Sequence, residues 1–221
     1  SLGDIMDYLE SKEELENTII IFMSDNGGYS LYGRTPPLHT QNLPLRSGKG
    51  SAYEGGIRVP MIVYWNGTVN PGTTINDYVI IEDFFPSILE MAEVDSYDTK
   101  QQVDGVSFVP ILRGKNIDND SRSLIWNMPN NWIAGDNRIY GIGATCTIRQ
   151  GDYKLIYWYE DGKKELYNIR TDIGETDNIA ESFPLLTKQL SELLSDKLRS
   201  VDAQRPFFIS TGEPCPWPDG R

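Results

Sequence analysis

Apolar residues recur along the chain at two different spacings, and the change of spacing divides it. Leu2, Ile5, Met6 and Leu9 fall at helical intervals and predict an amphipathic helix over Ser1 to Glu10. Asn17 to Ser24 then runs through Ile19, Ile20, Ile21, Phe22 and Met23, the pattern of a strand buried on both faces. It ends in the polar Asp25-Asn26-Gly27-Gly28. Helix, buried strand and polar loop is the rhythm of an open α/β sheet, in which ligands bind at the carboxyl ends of strands. A loop rich in Gly, Pro, Arg and Tyr follows through Lys49, and Ile57 to Trp65 reads as a second core strand, with Pro60 the one residue against it. Ile81, Phe84, Phe85, Ile88 and Leu89 mark one face of a helix from about Asp83 to Ala92, with Pro86 tolerated in its first turn.

Past the polar stretch Lys115 to Ser121 the runs shorten and turn aromatic. Ser123 to Asn127, Ala144 to Arg149, Tyr153 to Tyr159 and Glu165 to Ile169 predict strands, the last two joined by a hairpin turn at Asp161-Gly162. A helix from Ser182, with Pro184 near its start, carries Leu186, Leu190, Leu193, Leu194 and Leu198 on one face. The Pro-rich tail from Arg205 is expected to lie extended over the surface. The predicted fold class is therefore α/β: a sheet region over residues 1–118, then an α+β subdomain over 119–221 made of an antiparallel sheet with one helix.

Charge narrows the function. At a formal −12, general nucleic-acid binding is excluded as an expectation, since it relies on Lys and Arg facing phosphates. An anionic substrate would be repelled at long range, so an anion site must come from a few local cations. No apolar run reaches the length of a membrane span. Cys146 and Cys215 form no metal-type cluster and read as two unpaired thiols. The first residues have no basic region like that of a signal peptide, and a chain that opens inside a helix is expected to be a fragment or a truncated form.

Two segments carry candidate chemistry. Asp25 and Asn26 offer hard oxygen ligands of the kind that suit Ca²⁺ or Mg²⁺, although Asp, Asn and Gly equally favour a plain turn. In Pro44-Leu45-Arg46-Ser47-Gly48-Lys49-Gly50-Ser51 the glycines let backbone approach an anion while Lys49 neutralises it; a solvated basic loop is the other reading. The spacing is not that of a nucleotide-binding loop, because position 43 is Leu rather than Gly.

The order of the segments adds more than any one of them. Asn17 to Gly28, then Pro44 to Pro60 with its Gly48-Lys49-Gly50 and Glu54-Gly55-Gly56-Ile57-Arg58-Val59-Pro60, closely resembles the sulfatase family of the alkaline-phosphatase superfamily. Asp83-Phe84-Phe85-Pro86-Ser87, Val103 to Leu112, Gly151 to Ile156 and Glu165 to Asn168 resemble later segments of that family in its order, up to about Ala180. The resemblance implies the C-terminal part of an alkaline-phosphatase-like sheet sandwich, a sulfuric-ester hydrolase activity, a periplasmic or secreted parent protein, and a sulfated small molecule or sulfated glycan as substrate. It also implies a divalent cation, usually Ca²⁺, with Asp25 and Asn26 matching one pair of its ligands, and a sulfate contact matching Lys49.

The departures are as plain. The family's nucleophile is a formylglycine made within a C/S-x-P-S/A-R motif, and no such motif occurs here. The nucleophile and the N-terminal metal carboxylates are expected in a missing N-terminal part of the same protein, without which the chain is expected to be inactive. The only histidine, His39, is a candidate leaving-group acid or an exposed loop residue. Arg46 is a candidate substrate contact; Arg58 is expected in an ion pair, and Glu54 is expected to fix the loop. Trp126, Trp132 and Trp158 suggest either a sugar platform or, better, buried aromatics. Asn66-Gly67-Thr68 and Asn119-Asp120-Ser121 match glycosylation sequons, short patterns that arise by chance. Two further readings stay open: a phosphodiesterase or phosphonate hydrolase of the same superfamily, and a non-catalytic binding module.

Overall fold

The computed structural model describes residues 1–29, 42–94, 96–115, 117–119, 121–131 and 138–221. In chain order the elements are α1 (Leu2–Ser11), β1 (Ile19–Met23), α2 (Glu54–Ile57), β2 (Met61–Trp65), α3 (Phe84–Met91), α4 (Val109–Leu112), β3 (Ser123–Met128), β4 (Thr145–Gln150), β5 (Tyr153–Trp158), β6 (Lys164–Asn168) and α5 (Pro184–Ser200). They fall into two compact units, one of residues 1–23 with 61–119 and the other of 24–60 with 120–221. Asp25, Asn26, Arg46 and Lys49 thus belong to the same unit as the C-terminal strands.

In the first unit β1 and β2 pair antiparallel, with Ile19 opposite Trp65 and Met23 opposite Met61. Ile19, Ile21, Met61 and Trp65 pack with Phe84, Met91, Phe108, Val109 and Ile111 from α3, α4 and the turn before α4. In this chain by itself the opposite face is only partly covered, with Ile20 and Tyr64 half-buried. Phe22 and Ile62, paired across the strands, remain 50% and 56% exposed. The expectation of a strand buried on both faces is corrected here. A run of Ile cannot by itself separate a strand between two layers from one whose alternate side chains face outward.

The segments around Asp83 and Asp104-Gly105 are joinery in this unit. The buried Asp83 carboxylate accepts from the backbone amides of Ile80 (3.0 Å) and Val106 (2.9 Å). Ser87 Oγ donates to the Asp83 carbonyl (2.6 Å) and accepts from the Phe108 amide (2.9 Å). A Cβ at Gly105 would lie 1.9 Å from the Glu82 carbonyl oxygen, which only glycine avoids. Two chain segments are held by main-chain donors meeting buried acceptors, an arrangement that meets the demand that buried polar groups be paired.

The second unit is built on a four-stranded antiparallel sheet in the order β3-β4-β5-β6. It is separate from the sheet of β1 and β2, and the predicted strands match it within a residue or two. One face carries Cys146, Ile148, Leu155, Tyr157 and Leu166, which pack with Leu190, Leu194 and Leu198 of α5. Pro184 stands in the first turn of α5, where a missing N–H costs nothing, and the leucines follow at four-residue intervals. Ser191 and Ser195 sit inside the helix because each hydroxyl donates to the carbonyl four residues back, at 2.7 and 2.8 Å. The tail is not spread over the surface as expected. Cys215 and Trp217 join the same apolar cluster, and Phe207 bridges to Pro214. Both cysteines are free and buried, and burial pushes the Cys146 thiol up to about 12. No helix among the described residues is long and apolar enough to cross a membrane.

Candidate functional site

The site grows from glycine pairs that interlock. After β1 the chain enters Ser24-Asp25-Asn26-Gly27-Gly28, where Ser24 Oγ donates to the Asn26 carbonyl at 2.8 Å. Gly27 N–H donates to the Gly56 carbonyl (2.9 Å), and Lys49 N–H donates to the Gly28 carbonyl (3.1 Å). The approach leaves no room for side chains. A Cβ on Gly27 would lie 1.7 Å from the Gly55 carbonyl oxygen, and one on Gly55 would lie 2.3 Å from that of Arg46. The glycines flanking the candidate residues are therefore needed for loop-to-loop packing.

These contacts bring the Asp25-Asn26 loop and the Lys49 loop together in one cluster. Asn42 completes it: its amide nitrogen donates to the carbonyls of Gly28 (2.8 Å) and Ser47 (2.9 Å), and its oxygen accepts from Gly28 N–H (3.1 Å). Asn26 Nδ2 donates to Asp25 Oδ1 at 2.8 Å, so a carboxylate and an amide lie side by side on an exposed loop. Neither Asp25 nor Lys49 is ion-paired to a described residue. Carboxylate and amide oxygens are the ligand type that a hard cation takes. Groups of three or more His, Cys, Asp or Glu side chains placed to hold a metal do not occur among the described residues. His39 and Trp132 lie outside the described residues.

The other candidates have definite partners. Arg46 stacks its guanidinium on Tyr53, 3.8 Å from the ring centroid, and donates to Tyr167 Oη (3.2 Å) and the Glu175 carbonyl (2.7 Å). Arg58 lies 3.8 Å from Glu54, in the ion pair expected of it. Trp158 is buried with Arg138 over its ring, and Trp126 is half-buried.

Beneath the loops lies a layer of charge that sequence reasoning did not assemble. Glu54 is buried, and its Oε1 is 3.0 Å from Lys154 Nζ. The same ammonium is 2.9 Å from Glu175 Oε1, and Lys154 and Glu175 have no exposed surface. Glu175 Oε2 also accepts from the Glu54 amide at 2.6 Å. Burial pushes the Glu175 carboxyl above its usual range, against the pull of Lys154 beside it. Nearby, Glu165 accepts from Tyr53 Oη (2.8 Å) and Tyr167 Oη (2.9 Å) and pairs with Lys163 (2.8 Å). Its burial favours the protonated form, but these donors prevail and hold its carboxyl below the usual value. Burial, reinforced by the Glu165 charge, pushes the hydroxyls of Tyr53 and Tyr167 well up, so both stay protonated as donors. One signal was available: in Tyr153-Lys154-Leu155-Ile156-Tyr157-Trp158 a single charge interrupts an otherwise apolar run.

With the fold and the two joined loops described, comparison with known proteins gives the class. The sulfatase family model matches residues 1–94, and the model described as N-sulphoglucosamine sulphohydrolase, C-terminal, matches residues 48–204. The chain belongs to the sulfatase family. It is similar to a sulfatase of Formosa agariphila, 37% identical over 92% of this chain and 37% of that protein. It is also similar to an N-acetylgalactosamine-6-O-sulfatase of Bacteroides thetaiotaomicron, 31% identical over 88% of this chain and 39% of that protein. Among solved structures, that of Ps i-CgsB in complex with k-i-k-neocarrahexaose superposes with a TM-score of 0.72 at 26% identity, covering 92% of this chain and 41% of that one. The chain thus spans well under half the length of these relatives.

Proposed function

We propose that the protein is the C-terminal part of a metal- and formylglycine-dependent sulfatase, and that the complete polypeptide hydrolyses sulfate esters. One observation carries the reading: Lys49 N–H bonds to the Gly28 carbonyl, joining the loop that would hold the cation to the loop that would meet the sulfate. Asp25 and Asn26 would supply two of the roughly six to eight oxygen ligands that Ca²⁺ takes, or part of a Mg²⁺ shell. A divalent cation there would polarise sulfate oxygens and favour the ionised form of the attacking hydroxyl. Lys49, a compact cation on a loop held at several points, would offset the negative charge that develops as the ester bond breaks. The attacking group is expected from the preceding part of the protein, since this chain has no C/S-x-P-S/A-R motif. Similarity to an N-acetylgalactosamine-6-O-sulfatase supports a sulfated sugar as substrate class.

The test compares two proteins. The 221-residue chain alone, supplied with millimolar Ca²⁺, is expected to leave aryl sulfates and sulfated sugars intact and to bind Ca²⁺ weakly by calorimetry. The polypeptide extended by its preceding coding sequence is expected to turn them over. Turnover by the chain alone, or tight stoichiometric Ca²⁺ binding to it, would overturn the reading. A preference of the extended protein for phosphate diesters or phosphonates would move it to another branch of the superfamily.

A further inference from the structure

The most heavily buried charged group in the second unit takes no part in that chemistry, yet it lies under the loops that would perform it. We propose that Lys154 is a positioning residue: by clamping Glu54 and Glu175 it sets the place of Gly55-Gly56, and through them the loops that present Lys49 and Asp25-Asn26. The proposal deepens the sulfatase reading and rests on it for its functional meaning, but not for its geometry.

The path is short, and each link in it is a direct contact. Lys154 stands on β5, where the ladders to β4 and β6 fix its backbone. Its ammonium touches Glu54 Oε1 at 3.0 Å and Glu175 Oε1 at 2.9 Å. Glu175 returns to the same segment by accepting the Glu54 amide at 2.6 Å, so the backbone and the side chain of Glu54 are both tied to one buried cluster. Glu54 is followed directly by Gly55, whose amide donates to the Arg46 carbonyl (2.9 Å), and by Gly56, whose carbonyl receives Gly27 N–H (2.9 Å). Gly27 and Gly28 belong to the Asp25-Asn26 loop, and Gly28 receives Lys49 N–H. The near-contact of Gly27 with the Gly55 carbonyl leaves no slack, so a displacement of Glu54 must move both loops.

The chemistry of the cluster favours placement over bulk stability. Ions taken out of water repay their desolvation poorly, and apolar groups of the same size would fill the space at less cost. What ions add is direction: a carboxylate must lie where the ammonium is. Arg149, 3.9 Å from Glu54 Oε2, and Arg58, 3.8 Å from it on the exposed side, balance the remaining charge without making so close a contact. Arg46 ties the other end of the lysine loop to Tyr167 and Glu175, so the span from 46 to 54 is anchored at both ends on the same sheet.

Amide hydrogen exchange on this chain tests the coupling without any assay of activity. Two variants disturb the clamp mildly. Lys154→Met/Glu175→Gln removes one charge of each sign, and Glu54→Gln keeps an acceptor for the ammonium. In each, the Gly27 and Lys49 amides are expected to exchange roughly tenfold faster or more, while the Leu194 amide in α5 changes far less, since local openings and global unfolding are separate events. Unchanged exchange at Gly27 and Lys49 in a folded variant would overturn the proposal. So would a rise there no larger than at Leu194, which is what a purely structural role produces. If the double variant does not fold, Glu54→Gln decides by the same measurement. If neither folds, the cluster holds the whole unit rather than the loops, and the proposal fails. The two readings separate cleanly: a local rise at Gly27 and Lys49, found together with no sulfate-ester turnover by the extended polypeptide, would leave the coupling standing and remove the sulfatase reading.

Discussion

The two faces of the four-stranded sheet are both buried, and one of them adds a layer of ion pairs and hydrogen bonds to its apolar packing. One face meets α5 through Ile148, Leu155 and Leu166 against Leu190, Leu194 and Leu198, a contact made of apolar area alone. The other meets the 46–56 segment in two ways: Ala52 and Tyr53 pack with Ile156, Trp158, Tyr167 and Ile169, and beside them Lys154, Glu165 and Tyr167 hold Arg46, Tyr53 and Glu54 by hydrogen bonds and ion pairs. Alternation along β5 puts Leu155 on the first face and Lys154 on the second, one residue apart. Apolar packing is non-directional and holds a helix that has only to stay in place. Directional contacts hold a loop whose atoms must stand at set positions. The directional face is also the less complete: the hydroxyls of Ser51, Thr145 and Thr147 and the Trp158 indole N–H find no hydrogen-bond partner among the described residues, and Glu175 Oε1 has its ion pair with Lys154 but no hydrogen bond.

The comparison can be broken at several points. The largest effect is expected on the apolar face. Leu194 has no exposed surface, and Leu194→Ala should cost about 2–5 kcal/mol of stability in urea titration. A loss under about 1 kcal/mol would mean that α5 is not held by that face.

On the polar side, Lys49→Ala in the extended polypeptide should lower turnover by roughly 10²–10³-fold while leaving the urea midpoint where it was. Unchanged turnover would take Lys49 out of the chemistry, and a large drop in stability would make it a structural residue.

Gly27→Ala asks how tightly the loops are joined. Its methyl group would collide with backbone, not with a side chain that can turn away, and a cost of about 1–3 kcal/mol is expected. A neutral result would show that the two loops can separate freely.

The smallest effect concerns pH. The folded-state pKa of Glu165 lies below its ordinary value of 4.5. Its contribution to stability is therefore fully present above that value and is lost as pH falls through the lower, folded-state pKa. Glu165→Gln should flatten the acid limb of a plot of Tm against pH below about 4.5, with little change in slope near neutrality. An acid limb identical to that of the parent chain would remove Glu165 from the account.

Much of this was legible along the chain, for a reason that also marks its limit. The strands of the second unit and helix α5 stand within a residue or two of their predicted places, because each buries one face and so writes its own period into the sequence. The order of Ser-Asp-Asn-Gly, Gly-Lys-Gly and Glu-Gly-Gly pointed to the sulfatase family before any coordinate did. What lay beyond reach has no period. A run of Ile and Met at 19–23 looks the same whether it pairs antiparallel at an open face or sits inside a parallel sheet, because both partners are chosen elsewhere in the chain. A proline-rich tail gives no sign that Cys215 and Trp217 will turn into a core. Lys154 reads as an interruption of an apolar strand until Glu54, 100 residues earlier, is seen within 3.0 Å of it. The sequence by itself determined the family and the longer elements of the second unit and named candidate residues for chemistry, since these depend on spacing and residue type. Only the tertiary structure decided which loops share a cluster and which charges lie buried beneath them, since a buried charge is placed by partners that no local pattern names.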